Sequence, residues 1–228
     1  VEQIDTLVRV LEKEDLPLMP DMLRRFSEYR NLILEWNQKV NLISRNDESR
    51  IITRHFLQSM GLIRIVDFPK RSRVLDLGSG AGFPGVPLKL IRPDLNVILV
   101  DSIRKKARFL NEVIRRLELK EIEARWIRVE DIADIDPVDW VVSRSVATLE
   151  RQMRWCRSVL RYPGGWLVAI KGKETKEEVD RIRRKSAALG VGRILVKLYN
   201  PFPGQFVLTD SYVVMVERAA EASGSARS

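Results

Sequence analysis

Residues 73–85, Arg-Val-Leu-Asp-Leu-Gly-Ser-Gly-Ala-Gly-Phe-Pro-Gly, restrict the possible folds more than any other part of the chain. Val74, Leu75 and Leu77 predict a short strand that runs directly into a glycine turn. The following Gly-Val-Pro-Leu-Lys-Leu-Ile, 85–91, predicts the opening of a helix. Strand, tight turn and helix N-terminus together expose bare N–H groups and a positive dipole end to a small ligand. Two glycine spacings overlap here. Gly80, Gly82 and Gly85 fit the dinucleotide pattern G-x-G-x-x-G. That register starts the helix near the second glycine and buries Pro87 inside it, where lost hydrogen bonding and a clash cost about 3 kcal/mol. A helix that starts at 84–86 instead keeps Pro87 in the first turn, where its missing N–H is harmless. The loop over 78–85 is then long and open.

The rest of the chain alternates around this unit. Apolar runs predict strands at 73–77, 96–100, 124–129, 140–143 and 166–170, with helices at about 103–117 and 148–161 between them. A basic helix over about 174–189 leads to strands at 193–198 and 211–216, and the intervening Pro201-Phe-Pro-Gly204 is too short for a crossover helix. Those two strands should pair antiparallel. The alternation predicts an α/β fold, a parallel sheet with helices on both faces, closed by an antiparallel hairpin that suits a methyltransferase sheet and not a plain dinucleotide fold. Before it, Met22, Phe26, Tyr29, Ile33, Trp36 and Val40 recur at spacings of four and three and mark one buried helix face. A break at Asn37–Asn41 precedes a helix expected over 47–61, with Asp47 at its N-cap and His55 and Gln58 three apart on it. The expected division is a helical extension at 1–68, the sheet domain at 69–218 and a flexible tail at 219–228.

Composition narrows the partners. A formal charge of +9 favours a polyanion. Arg104, Lys105 and Arg108 on one helix, and Arg151, Arg154, Arg157 and Arg161 on another, are the expected phosphate contacts. Cys156 is the one cysteine and His55 the one histidine, which excludes internal disulfides and a cysteine-built zinc site. No apolar stretch approaches a membrane span and no signal-peptide pattern is present. A cytoplasmic protein without metal is expected, and a monomer, since no exposed apolar helix demands a partner.

In an open parallel sheet the ligand lies beyond the carboxyl ends of the strands. Gly78, Asp101, Glu130, Arg144 and Lys171 follow the five apolar runs and should share that edge. Asp101 is placed to accept both hydroxyls of a ribose, a role common to nicotinamide and S-adenosylmethionine (SAM) sites. Glu130 should meet an adenine ring, Phe83 should cover the ligand from the loop, and Arg144 and Lys171 should face the point of transfer.

Asp76-Leu-Gly78-Ser-Gly80-Ala-Gly82 resembles the first motif of class I SAM methyltransferases. The longer Asp76-Leu-Gly-Ser-Gly-Ala-Gly-Phe-Pro-Gly-Val-Pro-Leu88, Leu99-Val-Asp-Ser102 with Lys105-Lys106 and Phe109-Leu110, Ser143-Arg144 and Lys171-Gly172 resemble the RsmG (GidB) family. Trp36-Asn37, Val40-Asn41-Leu42 and Arg54-His55 resemble its N-terminal motifs. The pattern departs at Gln58, where the family usually has Asp, at Ser145 for the common Ala, and at Asp210-Ser211 and Glu217 around the last strand. The resemblance implies a Rossmann-like class I methyltransferase that methylates guanine N7 in bacterial 16S ribosomal RNA. It implies SAM contacts from Gly78, Phe83, Val129, Glu130 and Arg144, beside Gly80 and Asp101 from the loop and strand reading. Arg144, Lys171 and His55 would face RNA. Guanine N7 has an in-plane lone pair and no proton, so direct attack on the methyl group needs no general base. Alternative readings are an NAD(P)-dependent oxidoreductase and a methyltransferase acting on another nucleic acid or a protein.

Overall fold

The computed structural model describes residues 4–16, 20–204 and 211–219. The five apolar runs form the parallel part of a sheet: β1 (Arg73–Leu77), β2 (Asn96–Asp101), β3 (Ile122–Trp126), β4 (Trp140–Arg144) and β5 (Trp166–Lys171). With β6 (Val191–Leu198) and β7 (Tyr212–Arg218) the sheet has, among the described residues, seven strands in the order β3-β2-β1-β4-β5-β7-β6. The expected antiparallel hairpin is present, and β7 is inserted between β5 and β6, antiparallel to both. The order reverses between β1 and β4, which opens a crevice at their carboxyl ends.

Among the described residues eight helices cover the sheet, with α1 (Ile4–Lys13), α2 (Pro20–Asn37), the short α3 (Gln58–Met60), α4 (Gly85–Ile91) and α5 (Arg104–Arg116) on one face. On the other lie α6 (Leu149–Cys156), α7 (Thr175–Arg184) and α8 (Ser186–Leu189). Successive strand residues alternate between the two cores: Val74, Val97 and Leu99 face Phe26, Val86 and Phe109, while Leu75, Leu77 and Ile98 face Met153, Val179 and Ile182. The helical stripe expected in α2 is buried at Met22, Phe26, Tyr29 and Ile33. Tyr29 stacks on Phe56 at 5.1 Å and donates its hydroxyl hydrogen bond to the Ala81 carbonyl. The N-terminal helices therefore brace the glycine loop itself.

The prolines decide the start of α4 as expected: Pro84 is its N-cap residue and Pro87 lies in its first turn. Other boundaries differ. β3 ends at Trp126 and not at 129, because its ladder with β2 closes where Asp101 pairs with Trp126. Val129 and Glu130 thus belong to a 3-10 turn, Val129–Asp134. The single helix expected over 47–61 is instead a 3-10 turn at Arg45–Arg50, a π-helical stretch at Ile52–Leu57, α3 and a second 3-10 turn. The carbonyls of Arg54 and His55 accept from the Arg144 guanidinium and the Ser59 hydroxyl, which accompanies the loss of regular pairing there. Asp47 is not a cap; Ser44 occupies that position. The expected helix 148–161 stops at Cys156, and the basic helix breaks at Lys185 into α7 and α8. Most of the expected flexible tail lies outside the described residues.

Candidate cofactor and acceptor sites

Gly78, Gly80 and Gly82 all have positive φ, at +67°, +59° and +95°, a region that non-glycine residues visit at a cost. Gly82 has a second reason to be glycine, since a Cβ there would lie 2.7 Å from the Tyr29 hydroxyl. At Gly80 a Cβ would make only an ordinary contact beyond its chain neighbours, with the Gly78 carbonyl oxygen at 3.9 Å. Ser79 fastens the loop to β2: its N–H donates to the Val100 carbonyl at 2.9 Å, and its Oγ accepts from Val100 N–H at 3.1 Å. Asp76 Oδ2 accepts from the Gly85 N–H at 2.9 Å and so holds the start of α4. Burial pushes the Asp76 carboxyl up to about 7, with Asp101 adding to the shift, and Oδ1 has no partner among the described residues.

Two cavities open on either side of this loop. The first, of about 490 Å³, lies over β1 and β2, a size suited to a small ligand. Asp101 stands in it with both oxygens oriented by backbone: Oδ2 accepts from Gly80 N–H at 2.9 Å and Oδ1 from Ile103 N–H at 2.8 Å. Each oxygen keeps a second acceptor site, which matches a vicinal diol. Val129 and Glu130 form part of the same wall, although they arrive on a turn rather than at a strand end. Ile103, Ile127, Val146 and Trp155 make the apolar sides. Arg151, expected to meet RNA, lines this cavity and sits 4.9 Å over the Trp155 ring.

The second cavity, of about 480 Å³, is lined by His55, Gln58, Phe83, Arg144 and Lys171, with Gly78 to Ala81 on the shared side. Arg144, at the end of β4, is held by three neutral acceptors: the Arg54 carbonyl at 3.1 Å, Gln58 Oε1 at 3.0 Å and His55 Nδ1 at 2.8 Å. Its guanidinium also lies 4.8 Å over the Phe83 ring, while His55 stacks on Phe83 at 4.8 Å. Burial lowers the Arg144 pKa to about 10, so it remains a cation at neutral pH. Burial first, then the Arg144 and Arg54 charges, lower His55 to about 3. His55 is therefore neutral, and since Nδ1 accepts from Arg144 its proton is on Nε2, 3.8 Å from Asp47 Oδ2.

The candidate residues thus divide. Gly78 lines both cavities; Asp101, Val129 and Glu130 line the first; Gly80, Phe83, Arg144, Lys171 and His55 line the second. Phe83 is buried under His55 and Arg144 and does not reach over the first cavity. The Lys171 ammonium is tied to Glu178 at 2.9 Å and to the Ala147 carbonyl at 2.9 Å, bracing the turn after β4. Sequence reasoning passed over Lys106, which lines both cavities, and the acceptor role of Gln58 toward Arg144. The sequence signals for Lys106 are its place in the Lys105-Lys106 pair that belongs to the family resemblance and in the first turn of α5.

A parallel sheet with an antiparallel strand inserted near one edge, and a glycine loop and acidic strand end flanking its crevice, is the class I SAM methyltransferase fold. Solved structures agree. A putative SAM-dependent methyltransferase from Methanococcus maripaludis superposes with a TM-score of 0.57 at 16% identity, covering 76% of this chain and 91% of that one. TYW2 of Methanococcus jannaschii in complex with AdoMet superposes at 0.54 and 16%, covering 75% and 80%. Sequence comparison is narrower. A model of the family described as rRNA small subunit methyltransferase G matches residues 22–200. The Ribosomal RNA small subunit methyltransferase G of Desulforamulus reducens is 35% identical over 202 residues, 86% of this chain and 84% of that protein. That of Pelotomaculum thermopropionicum is 39% identical over 189 residues, 80% and 78%. The chain belongs to the RsmG (GidB) family.

Proposed function

We propose that this protein uses SAM to methylate N7 of a guanine in 16S ribosomal RNA of the bacterial small subunit. The relatives' names support small-subunit ribosomal RNA as the substrate. Bound SAM supplies an electrophilic methyl group on a sulfonium. The Asp101 carboxylate holds the ribose, Val129 and Glu130 take the adenine, and the positive-φ turn at Gly78 and Gly80 lets the methionine portion pass close to backbone. Phe83 acts from the acceptor side, by supporting Arg144 from below.

The observation that favours a base nitrogen such as N7 over a ribose hydroxyl is the state of His55. The one histidine of the chain is neutral, its Nδ1 is taken by Arg144, and burial and two arginines keep its basicity low. It cannot serve as the general base that a ribose 2′-hydroxyl would need. Guanine N7 needs none, so the protein's task is to hold acceptor and methyl in line at about 3–3.5 Å. Positive charge moves into the guanine ring during transfer, so Arg144 positions the base, through donors suited to O6, and does not stabilise charge. Residues 1–68 belong to this task, because His55 and Gln58 set the direction of Arg144. The reading carries a cytoplasmic location with it.

Incubation with labelled SAM and small ribosomal subunits, followed by mapping of modified nucleotides, tests the proposal. One 7-methylguanine in 16S RNA is the expected product. Label on a ribose hydroxyl, or none on RNA while S-adenosylhomocysteine binds, would overturn it.

A further inference from the structure

The expected phosphate contacts do not form one surface. On α6, Arg154 pairs with Glu150 at 3.0 Å, Arg161 beyond it pairs with Asp139 at 2.7 Å, and Arg151 lies in the cofactor cavity. Arg104 is stacked 5.2 Å over Trp126. Lys105 and Arg108 point elsewhere. Together with Trp36 and Lys39 they line a separate cleft of about 400 Å³ between the end of α2 and the first turns of α5. Among the described residues, none of Lys39, Lys105 and Arg108 has an ion pair or a side-chain hydrogen bond. Two acids also line the cleft; Glu112 is taken by Arg115 at 3.0 Å, which leaves Glu35 against three cations.

Two segments of the chain line both the cleft and the acceptor cavity. The turn after α2 sends Lys39 and Val40 into the cleft and Leu42 and Ile43 into the acceptor cavity. Asn37 shapes that turn by accepting from Leu42 N–H at 2.9 Å and Ile43 N–H at 3.0 Å. On α5, Lys105 lines the cleft and its neighbour Lys106 lines the acceptor cavity. Trp36 is half-buried, with its ring fixed against Phe109 at 5.5 Å and 61°. A rigid indole beside unpaired cations is the combination that holds single-stranded nucleic acid, a base on the ring and phosphates on the charges.

We propose, on the basis of the methyltransferase reading above, that the Trp36–Lys39–Lys105–Arg108 cleft is a subsite for a nucleotide flanking the acceptor guanine in single-stranded RNA. It orients the RNA strand across the acceptor cavity and takes no part in cofactor binding.

The test uses the full chain with Lys39, Lys105 and Arg108 changed to alanine together. A control carries the same charge loss on α7, at Lys176, Arg181 and Arg184. Equilibrium affinity for naked 16S RNA is measured across a salt series, and KM for small ribosomal subunits is measured with SAM saturating. The cleft variant should raise KM about tenfold and flatten the slope of log affinity against log salt by about 0.7 to 1.4, given about 0.7 per phosphate on a single strand and the one or two phosphates that flank a single nucleotide. S-adenosylhomocysteine affinity should not change, and the control should match the parent protein. Equal effects from both variants, or none from the cleft variant, overturn the subsite. A defect on subunits but none on naked RNA would seat a ribosomal protein in the cleft and overturn it too. If the parent protein binds S-adenosylhomocysteine yet methylates no RNA, the functional reading itself fails, and the subsite with it.

Discussion

The two cavities flanking the glycine loop are nearly equal in volume but are built in different ways. The cofactor cavity takes its polar groups from places where the chain leaves the sheet, and backbone N–H groups of Gly80 and Ile103 aim its one buried carboxylate. Little in it depends on contacts between distant side chains. The acceptor cavity depends on them throughout. Arg144 reaches 89 residues back to His55 and 86 back to Gln58, and Phe83 lies beneath both groups. A pocket made of strand ends survives large changes in side chains, whereas a pocket made of side-chain stacking is tuned by each member. The first is where a common donor would sit. The second is where a particular acceptor would be chosen.

Substitutions in the two cavities should therefore have separable effects. The largest is expected from Arg144→Ala, which removes the donor proposed to position the acceptor and leaves His55 Nδ1 and Gln58 Oε1 without it. Single-turnover methyl transfer should fall at least about 100-fold, in line with loss of a buried charged hydrogen-bonding group. Because His55 is the only histidine, its ring proton signal in NMR also reports the change. In the parent protein it should not titrate above about pH 3, and in Arg144→Ala its pKa should rise as one of the two lowering charges is lost. A parent histidine that titrates near 6.5 would mean the stack is not formed.

On the cofactor side, Asp101→Ala should weaken S-adenosylhomocysteine binding about 10- to 100-fold, the range for a hydrogen-bonded charged group. RNA affinity measured without cofactor should be untouched. Equal losses for both ligands would erase the distinction between the cavities.

A third experiment separates them by pH. His55 is buried with its pKa lowered to about 3, so between about 3 and 6.5 the unfolded chain takes up a proton that the folded chain refuses. That group makes the protein more stable as pH rises to 6.5. Asp76 has its pKa raised from 3.8 to about 7, so between those values the folded chain holds a proton the unfolded chain has lost. That group makes the protein less stable as pH rises. The two contributions oppose each other between about pH 4 and 6.5. Asp76→Asn should uncover the histidine slope, at most about 1.4 kcal/mol per pH unit for one proton. Denaturant melts over that range check it, and a pH profile identical to the parent's would remove the buried-carboxyl argument.

The smallest effect belongs to Gln58→Ala. It deletes one of three acceptors on Arg144 and should destabilise by about 1 kcal/mol, with S-adenosylhomocysteine affinity unchanged. A change confined to cofactor binding would place Gln58 on the other side of the loop.

Pattern reading succeeded where physics is local. The position of Pro87 chose the helix register, the alternation of strands and helices gave the parallel sheet, and the short link after Leu198 required the antiparallel hairpin. It went astray over 47–61, where Arg54 and His55 carbonyls bond to side chains and the regular helix is lost. No helical periodicity can announce an arginine arriving from β4. It also placed Arg151 with the RNA contacts, because a helix wheel shows which residues leave the core but not which cavity they enter. Lys171, expected to face RNA, lines the acceptor cavity with its ammonium held by Glu178 and the Ala147 carbonyl, a tie that no strand pattern announces.

What the residues alone determined, then, is a sheet with a ligand crevice at the glycine turn and a carboxylate one strand away. Torsion limits, proline sterics and burial periodicity act over a few residues, and they leave a trace in the order of the chain. What tertiary structure decided is the acceptor side: which arginine is aimed, that the one histidine is kept neutral, and which cations remain unpaired among the described residues. Those outcomes depend on desolvation and on neighbours that are distant in the chain, and they exist only once the helices before Pro69 close against the loop.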